Sequence, residues 1–203
     1  MRASIGNAIK RLGFNLARRC FSKMFWDVAI QDLTDTEKSI VSTALPFTMT
    51  SVERLVSLVN SVNYLTRNDI PGDIAECGVW RGGSMMAAAL ALIAAGDTDR
   101  TLYLYDTFEG MSDPSKKDTD FAGKSAISLL QNHRKGTGIW CFATLEDVQK
   151  NMYSTGYPPD KIKFIKGKVE DTLAAVRPKK LSLLRLDTDW YESTKLEDRK
   201  SVV

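Results

Sequence analysis

The sequence predicts an α/β fold, a parallel sheet whose strands alternate with helices. Three observations predict it. Asp73 to Ser84 reads as a short apolar strand, a glycine turn and the start of a helix. Thr101 to Tyr105 alternates β-branched and aromatic residues and runs into an acid, Asp106, at the spacing from Glu76 expected of a βαβ unit, about 30 residues. Two more short apolar runs, Ile162–Ile165 and Leu181–Leu186, follow with helical patterns between them.

The elements can be justified in order. Met1 to about Met24 carries only positive charges (Arg2, Lys10, Arg11, Arg18, Arg19, Lys23), with Ile5, Ile9, Leu12, Leu16 and Phe21 at roughly helical spacing. It reads as a helix packing on its own domain or on a second subunit, in preference to an anionic membrane surface or a targeting segment. Asp32 to Phe47 holds a short helix capped by Thr34 or Asp35 and broken at Pro46. Thr50 or Ser51 starts a second helix to about Leu65, with Val52, Leu55, Val56, Leu58, Val59 and Val62 on one face. Pro71-Gly72 turns into the first strand. Gly83 to Ala95 is a small-residue helix that can lie close to the sheet, ended by Gly96. Gly110 to Thr137 is polar and long for a connection, so it reads as a lid or substrate loop. Thr144 caps a helix through Tyr153 with acids in its first turn, stopping at Gly156. A short helix from Val169 leads to Pro178.

Composition excludes several classes. A net charge of +3 is no argument for nucleic acid. Three cysteines, Cys20, Cys77 and Cys141, are widely spaced and odd in number, which fits free thiols in a reducing, cytoplasmic compartment. With no C-x-x-C pair and one histidine, His133, a zinc site is not expected, and His133 reads as a solvated loop residue. No apolar run approaches the roughly 18 residues of a membrane span.

The chemistry sits at the strand ends. Gly78, Gly82 and Gly83 do not match the G-x-G-x-x-G spacing of a dinucleotide turn. Glu76 within that turn would repel a pyrophosphate but suits a cationic ligand, so a dinucleotide or nucleotide-sugar enzyme is disfavoured. Ser84 and the first amides of the following helix can point at a ligand. Asp106, at the end of the second strand, can accept both hydroxyls of a ribose. Asp187 ends the fourth strand. It could bind magnesium, act as general base for an accepting hydroxyl, do both, or merely cap the next helix. Asp189 and Glu192 are further acids nearby.

Three blocks, Glu76-Cys-Gly-Val-Trp-Arg-Gly-Gly83, Asp106-Thr-Phe-Glu-Gly110 and Leu184-Arg-Leu-Asp187-Thr-Asp189-Trp-Tyr191-Glu-Ser-Thr194, resemble in order and spacing the macrocin O-methyltransferase family. The resemblance runs from about Phe47 to Thr194. It implies a Rossmann-like class I methyltransferase fold with strand order 3-2-1-4. It implies S-adenosylmethionine as cofactor, Mg2+ assistance, and a small-molecule acceptor hydroxyl, typically on a sugar of a natural product or glycan. It further implies a cofactor site made of Glu76, Cys77, Gly78, Val79, Trp80, Gly82, Ser84, Asp106, Thr107, Phe108, Gly110 and Asp187, bordered by Thr48 and Met49. Asp187 would be the catalytic residue and the one metal ligand present.

The chain departs from that pattern after Thr194. The family continues with further strands and a pair of aspartates that completes the metal site, whereas Lys195 to Val203 has no acidic cluster at a strand end. The expected organisation is an N-terminal helical extension (1–68), a partial cofactor domain (69–194) and an atypical tail (195–203). The fourth strand would be left as an open edge, and self-association would be compatible with it. Two functions follow: a sugar O-methyltransferase, or a catalytically inactive cofactor-binding remnant.

Overall fold

The computed structural model describes residues 31–120, 122–131 and 141–201. The basic segment before Met24 and His133 lie outside the described residues. Four strands form one parallel sheet: β1 (Asp73–Cys77), β2 (Leu102–Asp106), β3 (Ile162–Lys166) and β4 (Leu181–Leu186). Their order is β3-β2-β1-β4, as the sequence predicts. Around them lie α1 (Asp35–Ala44), α2 (Val52–Arg67), α3 (Gly83–Ala95), α4 (Ala126–Gln131), α5 (Leu145–Tyr153), α6 (Val169–Ala175) and α7 (Tyr191–Ser201). No helix among the described residues is long and apolar enough to cross a membrane.

Strand alternation divides the core into two faces. Ile74, Leu102, Leu104 and Ile162 pack against α1, α2 and α3 on one face, with Leu55, Val59, Met86 and Leu92 at the centre. Ala75, Cys77, Tyr103, Tyr105, Ile165 and Val169 form the core of the other. The helices before the first strand thus share a core with the sheet; α1 and α2 are part of one packed unit with it.

α3 is buried from Gly83 to Ala89 because alanines and glycine let it approach closely. Gly83 is required at its start: a Cβ there would stand 2.6 Å from the Phe47 carbonyl carbon and 2.8 Å from the Ala44 oxygen. The Arg81 guanidinium makes a paired bond to Asp147, Nε to Oδ2 at 2.7 Å and Nη2 to Oδ1 at 3.1 Å, and lies over the Phe47 ring. That fork ties the glycine turn to α5 and to the loop before α2.

Two elements differ from the sequence reading. The stretch read as a single loop contains α4, whose Ala126 and Leu130 are buried one turn apart, and a Thr119–Ser125 bridge. One buried pair is too short a pattern to outweigh the polar flanks. The boundary at 194/195 falls inside α7, where Ser193 and Glu197, four residues apart, are both buried. The helix is nucleated from outside its own sequence: the Asp118 carboxylate accepts from the Tyr191 amide at 2.7 Å, a cap supplied by a distant loop. Among the described residues β4 pairs only with β1, and Leu186 is exposed, as expected of an edge.

Candidate active site

Parallel strands bring their carboxyl ends to one side of the sheet, and a cavity of about 250 Å3 opens there. That is at or just under the low end of ordinary ligand pockets, roughly 300–1,000 Å3. Asp106, at the end of β2, organises its floor. Its Oδ2 accepts from the Val79 and Trp80 amides at 2.8 and 3.1 Å, and its Oδ1 accepts from the Phe108 amide at 2.8 Å. Trp80 (φ 47°) and Phe108 (φ 54°) both sit in the left-handed region. Side chains other than glycine adopt that region only when the surroundings insist, and the Asp106 carboxylate is what insists. A carboxylate offers about four acceptor positions; the three amides occupy three, and the Thr107 hydroxyl stands 3.4 Å from Oδ1, so room for one further donor remains.

Gly78 joins β1 to β4. Its φ is +82°, and a Cβ there would lie 2.5 Å from the Asp187 backbone oxygen, so only glycine lets the two strand ends meet. The Asp187 amide donates to the Cys77 oxygen at 2.9 Å. The Asp187 side chain is half exposed and lines the cavity.

The lid side is latched. The Trp190 indole N–H donates to the Ser112 carbonyl at 2.8 Å. Asp118, buried, accepts from the Ser115 amide and hydroxyl with one oxygen and caps α7 with the other. Gly110, Met111 and Ser112 thereby form one wall of the cavity.

Of the residues the sequence proposes for the site, Met49, Gly78, Trp80, Asp106, Thr107, Gly110 and Asp187 line the cavity. The others stand elsewhere. Glu76 is buried and bonded to Arg185 of the neighbouring strand. Cys77 points to the opposite face, where its thiol is in hydrogen-bond contact with Glu197 and burial pushes its pKa well up. Val79 contributes its backbone amide to Asp106. Gly82 faces Val148 and Met152 of α5, and Ser84 is buried in the first turn of α3. Phe108 is core, edge-on to Phe164. Thr48 accepts from the Thr50 amide at 3.2 Å, and it is Thr50 that reaches the cavity, with its hydroxyl oxygen buried and unpartnered. Ser51, not Thr50, caps α2.

Sequence reasoning missed Thr50, Arg54, Tyr105, Glu170, Lys168 and Trp190 as cavity residues. Trp190 lay in a quoted motif, but nothing in spacing signals the others, which the fold assembles from three separate segments. The lining holds four acids, Asp106, Glu170, Asp187 and Asp189, against two bases, Arg54 and Lys168. The Asp189 carboxyl is raised from its usual range although its surface is exposed, because the cavity walls strip part of its hydration and Asp187 adds a like charge.

The described residues do not fit a magnesium site. One oxygen of Asp187 is bonded to Arg185 at 2.8 Å, and no group of three or more acids, histidines or cysteines converges among the described residues. Magnesium requires near-octahedral oxygen coordination. The arrangement fits a cationic organic ligand carrying hydroxyls: acids around an apolar wall of Trp80, Tyr105 and Met49.

Comparison with known proteins shows the family. The family model Macrocin-O-methyltransferase (TylF) matches residues 26–198. Over 147 residues, 72% of this chain, the sequence is 35% identical to the 8-demethyl-8-(2,3-dimethoxy-alpha-L-rhamnosyl)-tetracenomycin-C 4'-O-methyltransferase of Streptomyces olivaceus and covers 54% of it. It is 33% identical to the mycinamicin III 3''-O-methyltransferase of Micromonospora griseorubida, covering 56% of that protein. The chain thus spans about half the length of these relatives. Among solved structures, the O-methyltransferase NovP superposes with a TM-score of 0.63 at 29% identity, over 76% of this chain and 61% of that one. The calicheamicin methyltransferase CalS11 shares the fold, with a TM-score of 0.52 at 20% identity over 88% and 70% of the two chains. A parallel sheet in the order 3-2-1-4, an acid-lined cavity at its carboxyl ends and a family match across most of the length place this chain in the macrocin O-methyltransferase family.

Proposed function

We propose that this protein is an S-adenosylmethionine-dependent O-methyltransferase whose acceptor is a hydroxyl of a sugar. The observation that carries the reading is the cavity at the carboxyl ends of β1, β2 and β4, where four acids face an apolar wall. Negative charge suits a sulfonium and an ammonium, and an acid at the end of β2 suits a ribose. The acceptor class rests on the relatives, one of which is named for a rhamnosyl substrate.

When bound, the cofactor supplies a methyl group on a positively charged sulfur, already a good leaving group. The protein's own tasks are then few. Asp106 holds the glycine turn in shape and offers its one remaining acceptor position to a ribose hydroxyl. Trp80 and Met49 exclude water, and the latched lid closes the wall opposite. An acceptor hydroxyl held against the cavity wall would receive that methyl group, and the proton that the hydroxyl gives up would pass to a carboxylate of this chain. Asp187 Oδ1, the oxygen that Arg185 leaves open, is our assignment for that proton. No step is assigned to magnesium.

Calorimetric titration of the chain with S-adenosylmethionine and S-adenosylhomocysteine tests this. Saturable binding of both, with Asp187→Asn weakening chiefly the sulfonium form, is the expected result. A folded chain that gives no heat with either ligand refutes the reading. Binding without methyl transfer to any sugar acceptor would establish the non-catalytic alternative.

A further inference from the structure

Glu76 and Arg185 are direct register partners across β1 and β4. Asp187 follows Arg185 by two residues, so strand alternation turns both side chains the same way. One guanidinium nitrogen, Nη1, donates to Glu76 Oε1 and, at 2.8 Å, to Asp187 Oδ2. The three groups grade outward: Glu76 is 1% exposed, Arg185 18% and Asp187 50%. Glu76 does not line the cavity and Asp187 does.

We propose that Arg185 is a positioning residue: anchored by the buried Glu76, its guanidinium fixes the Asp187 carboxylate at the cavity wall and presents Oδ1 to the ligand. This rests on the cavity being the sulfonium cofactor's site. It changes the role of Glu76, which acts through Arg185 and not on the ligand. An aspartate at the end of an edge strand, half in solvent, has several rotamers open to it, and ordering it at the moment of binding costs affinity. A bond to a side chain that is itself held in the core removes that cost in advance.

A structural ion pair alone would stabilise the fold without touching affinity, so the test separates the two. Removing Arg185 by itself strands a buried acid and can unfold the chain. The informative variant is therefore Glu76→Gln with Arg185→Met, which removes the guanidinium and its carboxyl anchor at similar volume. Its thermal stability is measured beside its calorimetric affinity for S-adenosylmethionine. The expected result is a melting temperature near wild type with affinity about tenfold weaker, matching Asp187→Asn, and no further loss when Asp187→Asn is added to it. Arg185→Lys, which keeps a single bridging nitrogen, recovers most of the affinity. A folded double variant that binds like wild type, or losses that simply add, overturns the proposal. Wild-type protein that binds neither cofactor form overturns the cofactor reading and this inference together, and it is seen before any variant is made.

Discussion

Replacing Asp106 by alanine tests whether one carboxylate holds the cavity floor. The side chain satisfies three backbone amides, those of Val79, Trp80 and Phe108. Its loss leaves three donors without their partner. Each such loss costs roughly 1–3 kcal/mol. The cavity lets water reach this turn, so the low end applies, and about 3 kcal/mol in total is expected. For a chain of this size that corresponds to a fall in melting temperature of roughly 6–12 °C. The two left-handed residues, Trp80 and Phe108, lose the bonds that hold them there, so the turn relaxes as well. Asp106→Asn keeps one acceptor oxygen and sets an amide N–H against a backbone N–H, so a smaller loss is expected, about 1–2 kcal/mol. Urea denaturation followed by circular dichroism gives the stability, and titration with S-adenosylhomocysteine gives the binding. If Asp106→Ala stays within about 1 kcal/mol of wild type, the turn is held by something else and the reasoning fails.

Three further outcomes are expected. Gly78→Ala places a methyl 2.5 Å from the Asp187 oxygen at a φ of +82°, so it should abolish cofactor binding and destabilise the chain by more than the roughly 1–3 kcal/mol of the backbone strain alone; unchanged denaturation would contradict the close approach. Burial pushes the Glu76 carboxyl up to about 8 against the pull of Arg185, and Glu197 up to about 7. A carboxyl raised in the folded state adds stability that is whole below the unfolded value of about 4.3 and is lost as pH rises through the folded one. The melting temperature should therefore fall between about pH 5 and pH 8, and less steeply in Glu76→Gln; identical slopes would remove Glu76 as a cause. Trp190→Phe deletes the indole bond to the Ser112 carbonyl, so limited proteolysis within residues 110–120 should accelerate while the core melts within about 1 kcal/mol of wild type. Equal cleavage rates would mean that Asp118 alone holds the latch.

Much of the fold was legible because local signals agreed. The capping box of Thr34 and Glu37, the glycine after Ala95 and the Thr144 cap set helix ends that the structure reproduces. Strand positions followed from short β-branched and aromatic runs. The place of the cavity was legible in part: Gly78, Asp106 and Asp187 line it because strand ends in a parallel sheet must converge, and the sequence marks those ends. The Arg185 bond to Glu76 was not legible, because an acid beside a glycine turn looks the same whether its partner is a cofactor or an arginine 109 residues further on.

By itself, then, the sequence determined the four strands, their order, the helices around them apart from α4 and α7, and the family, since these depend on periodicity, caps and motif spacing that are local in the chain. The tertiary structure decided which acids face the cavity and which are neutralised inside. It also decided that Thr50, not Thr48, reaches the cavity, and that the loop carrying Asp118 caps α7. Those outcomes depend on which strand register sets one side chain against another and on how much water each keeps, and neither quantity is written in the neighbours along the chain.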